Sequence, residues 1–151
     1  MSAIPKTLAV VVTAVLLAAS ANADPVADLE KMRAQGNQLN EELVTCGAFF
    51  LISAIGFEKR GTPKDIAVAE QTKQQANRAL QFAEMIGKSI QQKPEVVSAR
   101  FQMSLKALRK EMADDFTNYS ILLNKYLEPC ADLVRDPEQT VARRMGIGAG
   151  D

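Results

Sequence analysis

The sequence predicts an all-α protein: an antiparallel bundle of about four main helices, followed by a short C-terminal helix and closed by one disulfide, Cys46–Cys130. Three observations predict this class. Apolar residues recur at intervals of three, four and seven, as on one face of a helix. Proline follows a capping residue at Asp24-Pro25, Thr62-Pro63 and Asp136-Pro137, which is typical of helix starts. No segment alternates apolar and polar residues as a strand would.

The first 23 residues have the features of a cleaved signal peptide. Lys6 supplies a positive charge, Thr7–Ala19 is an uncharged apolar segment of 13 residues, and Ala21-Asn22-Ala23 offers a cleavage site. The alternative is a retained membrane anchor, but a spanning helix needs about 20 apolar residues. We therefore expect an exported protein, periplasmic or otherwise secreted, with no stable membrane anchor after cleavage.

The predicted organisation is a signal peptide 1–23, a single bundle domain 24–145 and a disordered tail 146–151. Lys6 is the only charged residue before Asp24, so cleavage leaves 17 of the 18 basic residues and all 18 acidic residues. This balance gives no long-range attraction to nucleic acid or anionic lipid. The chain also lacks tryptophan for base stacking, and we expect no nucleic-acid partner.

The first helix is expected from Pro25 to Arg60, with Gly61 as a left-handed cap. Thr62-Pro63 begins the second helix, which we expect to end at Lys93-Pro94 because the residue before proline avoids helical angles. Small and apolar residues form its predicted buried stripe: Ile66, Ala69, Ala76, Leu80, Ala83, Ile86 or Gly87, and Ile90.

The stretch from Glu95 to Cys130 could be one helix or two, and the two cysteines favour two. In an oxidising compartment an isolated pair most simply forms an intramolecular disulfide, although two free thiols or an intermolecular bridge are alternatives. One continuous helix would be about 50 Å long, whereas Cys46 lies roughly 20 Å below the far end of the first helix. The cysteines could not then meet, since a disulfide needs Cα atoms about 4.4–6.8 Å apart. A reversal near residues 114–118 brings them level.

The fourth helix then passes Pro129, which we expect to kink or end it within Leu127–Arg135. Asp136-Pro137 begins the short C-terminal helix, which we expect to continue through Met145.

No residue pattern names a reaction. The absence of histidine from the sequence excludes His-based triads and most zinc, copper and haem sites. The two cysteines are too far apart for a CxxC motif. Glu111 and Asp115 share a helical face with Asp114 beside them, but the aspartates fit a helix–helix turn better than a catalytic or calcium site. We expect no enzyme activity, no metal and no cofactor.

Residues 46–57 (CGAFFLISAIGF) carry no charge over 12 positions, so the helix is apolar on all sides there. Such a segment is either buried in the centre of the bundle or exposed to dock a partner or line an apolar ligand pocket. Tyr119 and Tyr126, seven positions apart, are either core-edge residues or interface anchors. The candidate partner or ligand face therefore comprises Phe49, Phe50, Phe57, Tyr119 and Tyr126.

Taken together, these features predict an exported, non-catalytic helical protein that binds a protein partner. The alternative is a carrier of an apolar small molecule within the bundle, which predicts a cavity between the first and third helices.

Overall fold

The computed structural model describes residues 25–145, and the predicted signal peptide 1–23 and tail 146–151 lie outside them. The described residues form five α-helices: α1 (Pro25–Arg60), α2 (Pro63–Ser89), α3 (Pro94–Glu111), α4 (Tyr119–Arg135) and α5 (Pro137–Met145). One 3₁₀ turn, Phe116–Asn118, lies between α3 and α4. The predicted all-α class, with four main helices and a short C-terminal one, is confirmed.

The described chain belongs to two compact units that divide between Lys31 and Met32. In the first unit, residues 25–31 are helical and the side chains from Val26 onward are exposed. The second unit, residues 32–145, contains the hydrophobic core. The largest fully buried apolar side chains of that core are at most 2 % exposed: Leu39, Leu43, Phe49, Ile52, Leu108, Met112 and Leu122.

From Met32 onward, α1 is the central helix and the other four helices surround it. One contact to each neighbour shows this: Asn40 to Ala83 of α2, Thr45 to Ser104 of α3, Cys46 to Cys130 of α4, and Glu42 to Arg144 of α5. Because helices surround α1 at the level of residues 46–54, its uncharged run is apolar on most sides. The interpretation of this run as a core segment is confirmed for these residues: Phe49, Phe50 and Ala54 are 1 %, 3 % and 0 % exposed, whereas Ile55, which follows them, is 36 % exposed.

α1 is also the one described helix with the length and composition of a membrane span. However, 67 % of its most apolar window is buried inside the protein. A central bundle helix has this composition because neighbouring helices, and not lipid, cover it on all sides.

α1 and α2 approach closely because both present small residues at their contact. A Cβ atom added to Gly47 would lie 2.9 Å from Cγ of Leu80, so any larger residue requires the Leu80 side chain to shift. Most of the predicted stripe of α2 is buried, including Ala69, Ala76 and Ala83. Ile66, in the first turn of α2, is an exception at 42 % exposed.

The start of α2 is as predicted, but its end is not. Thr62 caps the helix by accepting a hydrogen bond from the backbone N–H of Asp65 at 3.1 Å, and Gly61 adopts a φ of 71°. At the other end, α2 stops at Ser89 and not at Lys93-Pro94. Gln91 takes a left-handed conformation with φ 60°, and the chain turns there before proline can act.

The predicted reversal between α3 and α4 is confirmed. Ala113 and Asp114 have φ angles of 52° and 56°, and Asp115 caps the 3₁₀ turn by accepting from the N–H of Thr117 at 2.9 Å. The chain then descends until Cys130 reaches the level of Cys46, where their Cα atoms are 5.2 Å apart across the disulfide. The predicted Cys46–Cys130 bond is therefore confirmed.

Pro129 lies inside α4, which runs on to Arg135. The helix therefore ends within the predicted range Leu127–Arg135. Asp136, the residue before Pro137, has non-helical angles and separates α4 from α5.

Candidate functional site

The structure places the predicted binding residues in two environments. Phe49 and Phe50 are core residues at 1 % and 3 % exposure, so neither can contact a partner in the folded protein. The prediction that Phe49 and Phe50 belong to an exposed partner face is therefore corrected. Both residues are buried because helices surround α1 at their level. The ring of Phe49 lies 6.5 Å from that of Tyr119 and 5.9 Å from that of Tyr126, so these residues form one aromatic cluster. Phe57 lies two turns further along α1 and is only partly buried.

Tyr119 ties the aromatic cluster to the backbone of α1. Its hydroxyl donates to Ser53 Oγ, and Ser53 in turn donates to the carbonyl oxygen of Phe49 at 2.7 Å. Burial raises the pKa of Tyr119, against the opposing effects of the Ser53 hydrogen bond and the charge of Arg60. The phenol therefore stays protonated near neutral pH and acts as a donor. It does not serve as a base that could activate Ser53.

The carboxylates singled out in the sequence are occupied by structural contacts. Glu111 accepts from the hydroxyl of Tyr126 at 2.9 Å and pairs with Lys125 at 3.0 Å. The backbone N–H of Thr117 lowers the pKa of Asp115, which acts as a cap. Within residues 25–145, no group of three or more acidic or cysteine side chains is arranged to hold a metal ion.

A surface groove runs between α1 and α3, and we call it the basic-rimmed groove. It has a volume of about 560 Å³ and opens into a second hollow of about 260 Å³. Its floor is apolar and its rim is mostly cationic. The floor residues are Leu51, Ile52, Ile55 and Leu105, and the rim residues are Gln102, Lys106, Arg109, Lys110 and Asp114. The second hollow adds Lys59, Met112 and Phe116.

The charges around this groove are unbalanced. Asp114 is the one carboxylate among the residues lining the two hollows, and it pairs with Arg109 at 2.9 Å. Lys106 and Lys110 form no ion pair with any residue of the described chain. Lys59 Nζ lies 4.1 Å from the centre of the Phe116 ring, in a cation–π contact. The groove therefore has four cations and one carboxylate around an apolar floor.

The cavity that a small-molecule carrier would need between the first and third helices takes the form of two surface hollows, this groove and one of about 350 Å³ lined by Thr45, Ser104 and Tyr126. Buried side chains of the core, Ile52 and Met112, close the inner side of the groove. A separate cleft of about 410 Å³ lies between α1, α4 and α5, beside the disulfide. Apolar groups and the Glu42–Arg144 ion pair line it together.

Sequence reasoning did not identify the groove. The spacing of Lys106, Arg109 and Lys110 places them on one face of α3, and that signal was present in the sequence. Their position next to Ile55 depends on how α3 packs against α1, which no local pattern indicates. Comparison of the chain with protein-family profiles, with curated proteins and with solved structures finds no match, so function has to be inferred from these residues alone.

Proposed function

We propose that the protein is an exported, non-catalytic helical bundle that binds a protein partner through the basic-rimmed groove. The observation that carries the proposal is the exposed apolar floor. Ile55 is 36 % exposed, although Ile52 and Ala54 beside it on α1 are buried. When a partner covers an apolar side chain that is exposed at the bottom of a groove, the loss of apolar surface from water stabilises the complex.

The shape of the groove favours a helical segment of a protein as the occupant. The lining residues extend along α1 from Leu51 to Lys59, which is about 12 Å at 1.5 Å per residue. Leu51 and Ile55 are one turn apart and face Leu105 of α3, so they form a row that can receive apolar side chains at helical spacing. The aliphatic stems of Lys106 and Lys110 extend the apolar wall on the α3 side.

A carrier of an apolar small molecule is the second candidate. The cleft beside the disulfide has a volume within the range of ligand pockets, about 300–1,000 Å³, and supports that alternative. The groove, at about 560 Å³, lies within the same range.

The predicted signal peptide implies export, and we therefore expect the partner in the cell envelope or outside the cell. Sequencing the N-terminus of protein purified from its own host tests this step. A start at Asp24 in material from outside the cytoplasm is the expected result. Protein that keeps Met1 and stays in the cytoplasm would contradict export.

The binding proposal is tested by isolating complexes from the host that expresses the full-length gene with a C-terminal tag. The wild type is compared with Ile55→Asp, which puts a charge on the groove floor, and with Met85→Asp as a matched control. Met85 is 49 % exposed on α2 and lines neither hollow of the groove. Thermal unfolding of each variant verifies that it is folded.

We expect the same protein to be recovered, in stoichiometric amount, with the wild type and Met85→Asp but not with Ile55→Asp. Recovery that does not differ between the three proteins would overturn the groove as the binding surface. A bound small molecule in native mass spectra of the wild type, with no protein partner, would support the carrier instead.

A further inference from the structure

The partner can be described more closely from the charges of the groove. We infer that the partner inserts an amphipathic helix whose apolar stripe is flanked by acidic residues. This inference rests on the proposed function, since it concerns the same groove. It follows from what surrounds the apolar floor: Lys106, Arg109 and Lys110 from α3, and Lys59 from α1. Three of these cations lie on the α3 side of the floor, and Lys59 lies one turn beyond Ile55 at the end of α1, so a complementary helix needs carboxylates beside its apolar stripe.

The carboxylates of the described residues neutralise only part of the positive charge around the groove. Asp114 pairs with Arg109, and the side chains of both are about two-thirds exposed, at 64 % and 65 %. Lys106 and Lys110 have no carboxylate partner within residues 25–145. Acidic side chains of a bound helix would provide these missing partners. The ammonium groups are on flexible stems, so they can reach such carboxylates without movement of the backbone.

The positions of these cations are only partly explained by the helices that carry them. Arg109 and Lys110 lie in the last turn of α3, and Lys59 lies in the last turn of α1, where a cation offsets the negative end of a helix. That effect does not explain Lys106, which lies a turn earlier in α3. It also does not explain why Ile55 is exposed on the groove floor. A docking surface for an acidic, apolar segment explains all of them together.

The opposite end of the bundle provides a control pair of lysines that lie outside the groove. Lys88 and Lys93 are exposed near the turn between α2 and α3, and they line neither hollow of the groove. Replacing both by glutamate changes the net charge as much as replacing Lys106 and Lys110 does. These two pairs therefore separate an effect of the groove from an effect of total charge.

The experiment uses two fluorescein-labelled synthetic peptides of about 18 residues that share one stripe of leucines at helical spacing. One peptide has glutamates on both edges of the stripe and the other has lysines. Binding to the full-length protein, to Lys106→Glu/Lys110→Glu and to the control Lys88→Glu/Lys93→Glu is measured by fluorescence anisotropy. Vesicles of phosphatidylglycerol and phosphatidylcholine provide the comparison with an anionic membrane surface.

We expect the wild type and the control to prefer the glutamate peptide by about tenfold, and that affinity should fall as salt is raised from about 0.05 to about 0.5 M. Lys106→Glu/Lys110→Glu should lose or reverse the preference. Equal binding of the two peptides, or binding of neither, would overturn the inference. So would an equal loss of preference in both double variants, or an association with anionic vesicles that depends on Lys106 and Lys110 when the peptides do not bind.

Failure of this inference differs from failure of the proposed function. If Ile55→Asp still prevents recovery of the partner while the peptides show no charge preference, the groove binds a partner that is not acidic. If Ile55→Asp has no effect on recovery, the proposed function fails as well.

Discussion

Removing the disulfide should cost this protein a large part of its stability. Cys46 and Cys130 are 84 positions apart, so their bond closes a loop of most of the described chain. In the chain-entropy account, a cross-link across a loop of this length restricts the unfolded chain by about 4.5 kcal/mol at 25 °C. A single domain typically has only about 5–15 kcal/mol of unfolding free energy. Cys46→Ala/Cys130→Ala should therefore be folded but only marginally stable.

The two sites favour alanine as the replacement. Cys46 and Cys130 are 5 % and 2 % exposed, so serine would bury a hydroxyl group without an assured partner. Alanine removes only the sulfur atoms and adds a small cavity term. The entropic effect of the cross-link should consequently dominate the difference between the two proteins.

Urea unfolding followed by far-ultraviolet circular dichroism measures the effect. The double variant should unfold at lower urea than the oxidised wild type, with a loss of about 4–5 kcal/mol. Its denaturant dependence should be steeper, because an unfolded chain without the cross-link exposes more surface. Reduced wild type is the control and should unfold close to the double variant.

Unfolding free energies within about 1 kcal/mol for oxidised wild type and the double variant would refute the reasoning, since the cross-link would then not restrict the unfolded chain. Alkylation of both thiols in non-reduced material from the host would refute it more directly, because no bond would then exist in the authentic protein.

Three further changes test the core and the polar contacts, each by urea unfolding. Asn40→Leu should lower the free energy of unfolding by about 2–3 kcal/mol. The fully buried Asn40 accepts a hydrogen bond at 2.7 Å from Arg100, and the half-buried guanidinium would lose that partner. An unchanged urea midpoint would contradict this prediction. Phe49→Ala should lose about 3–5 kcal/mol, whereas Met103→Ala, at a site 62 % exposed, should change stability by about 0.5 kcal/mol or less; similar losses would show that burial is wrongly assigned. Tyr119→Phe should flatten the alkaline pH dependence of stability. Burial raises the pKa of Tyr119 above its ordinary 10.0, so the unfolded chain loses this proton first and stability falls as pH rises above about 10; an identical slope in wild type and variant would contradict the assignment.

Helix starts were predictable because the interactions that begin a helix are local. Thr62 caps a backbone N–H only three residues away, and Pro63 suits the first helical position whatever surrounds it. The end of α2 was not predictable in this way. Gln91 adopts a left-handed angle that glycine favours, and Lys93-Pro94 gave a clearer but later stop signal.

The reversal between α3 and α4 shows what a long-range constraint adds to local signals. Apolar spacing alone allowed one helix through this region. The turn-favouring aspartates and the distance between Cys46 and Cys130 favoured two helices, and the turn lies where both signals coincide. Covalent geometry thus predicted topology at the one place where the sequence contained a distance restraint.

The amino-acid sequence by itself determined the all-α class, the helix starts and the pairing of the two cysteines, since these depend on spacing, capping and the number of thiols. Only the tertiary structure decided which apolar residues are covered. Helical periodicity states which residues share a face, but not how many neighbours pack against it. Phe49 and Phe50 lie where helices surround α1 and are buried, whereas Ile55 lies where α1 and α3 diverge around a groove and remains accessible. The candidate binding surface is therefore a product of helix packing, because α1 and α3 together supply its apolar floor and its cations.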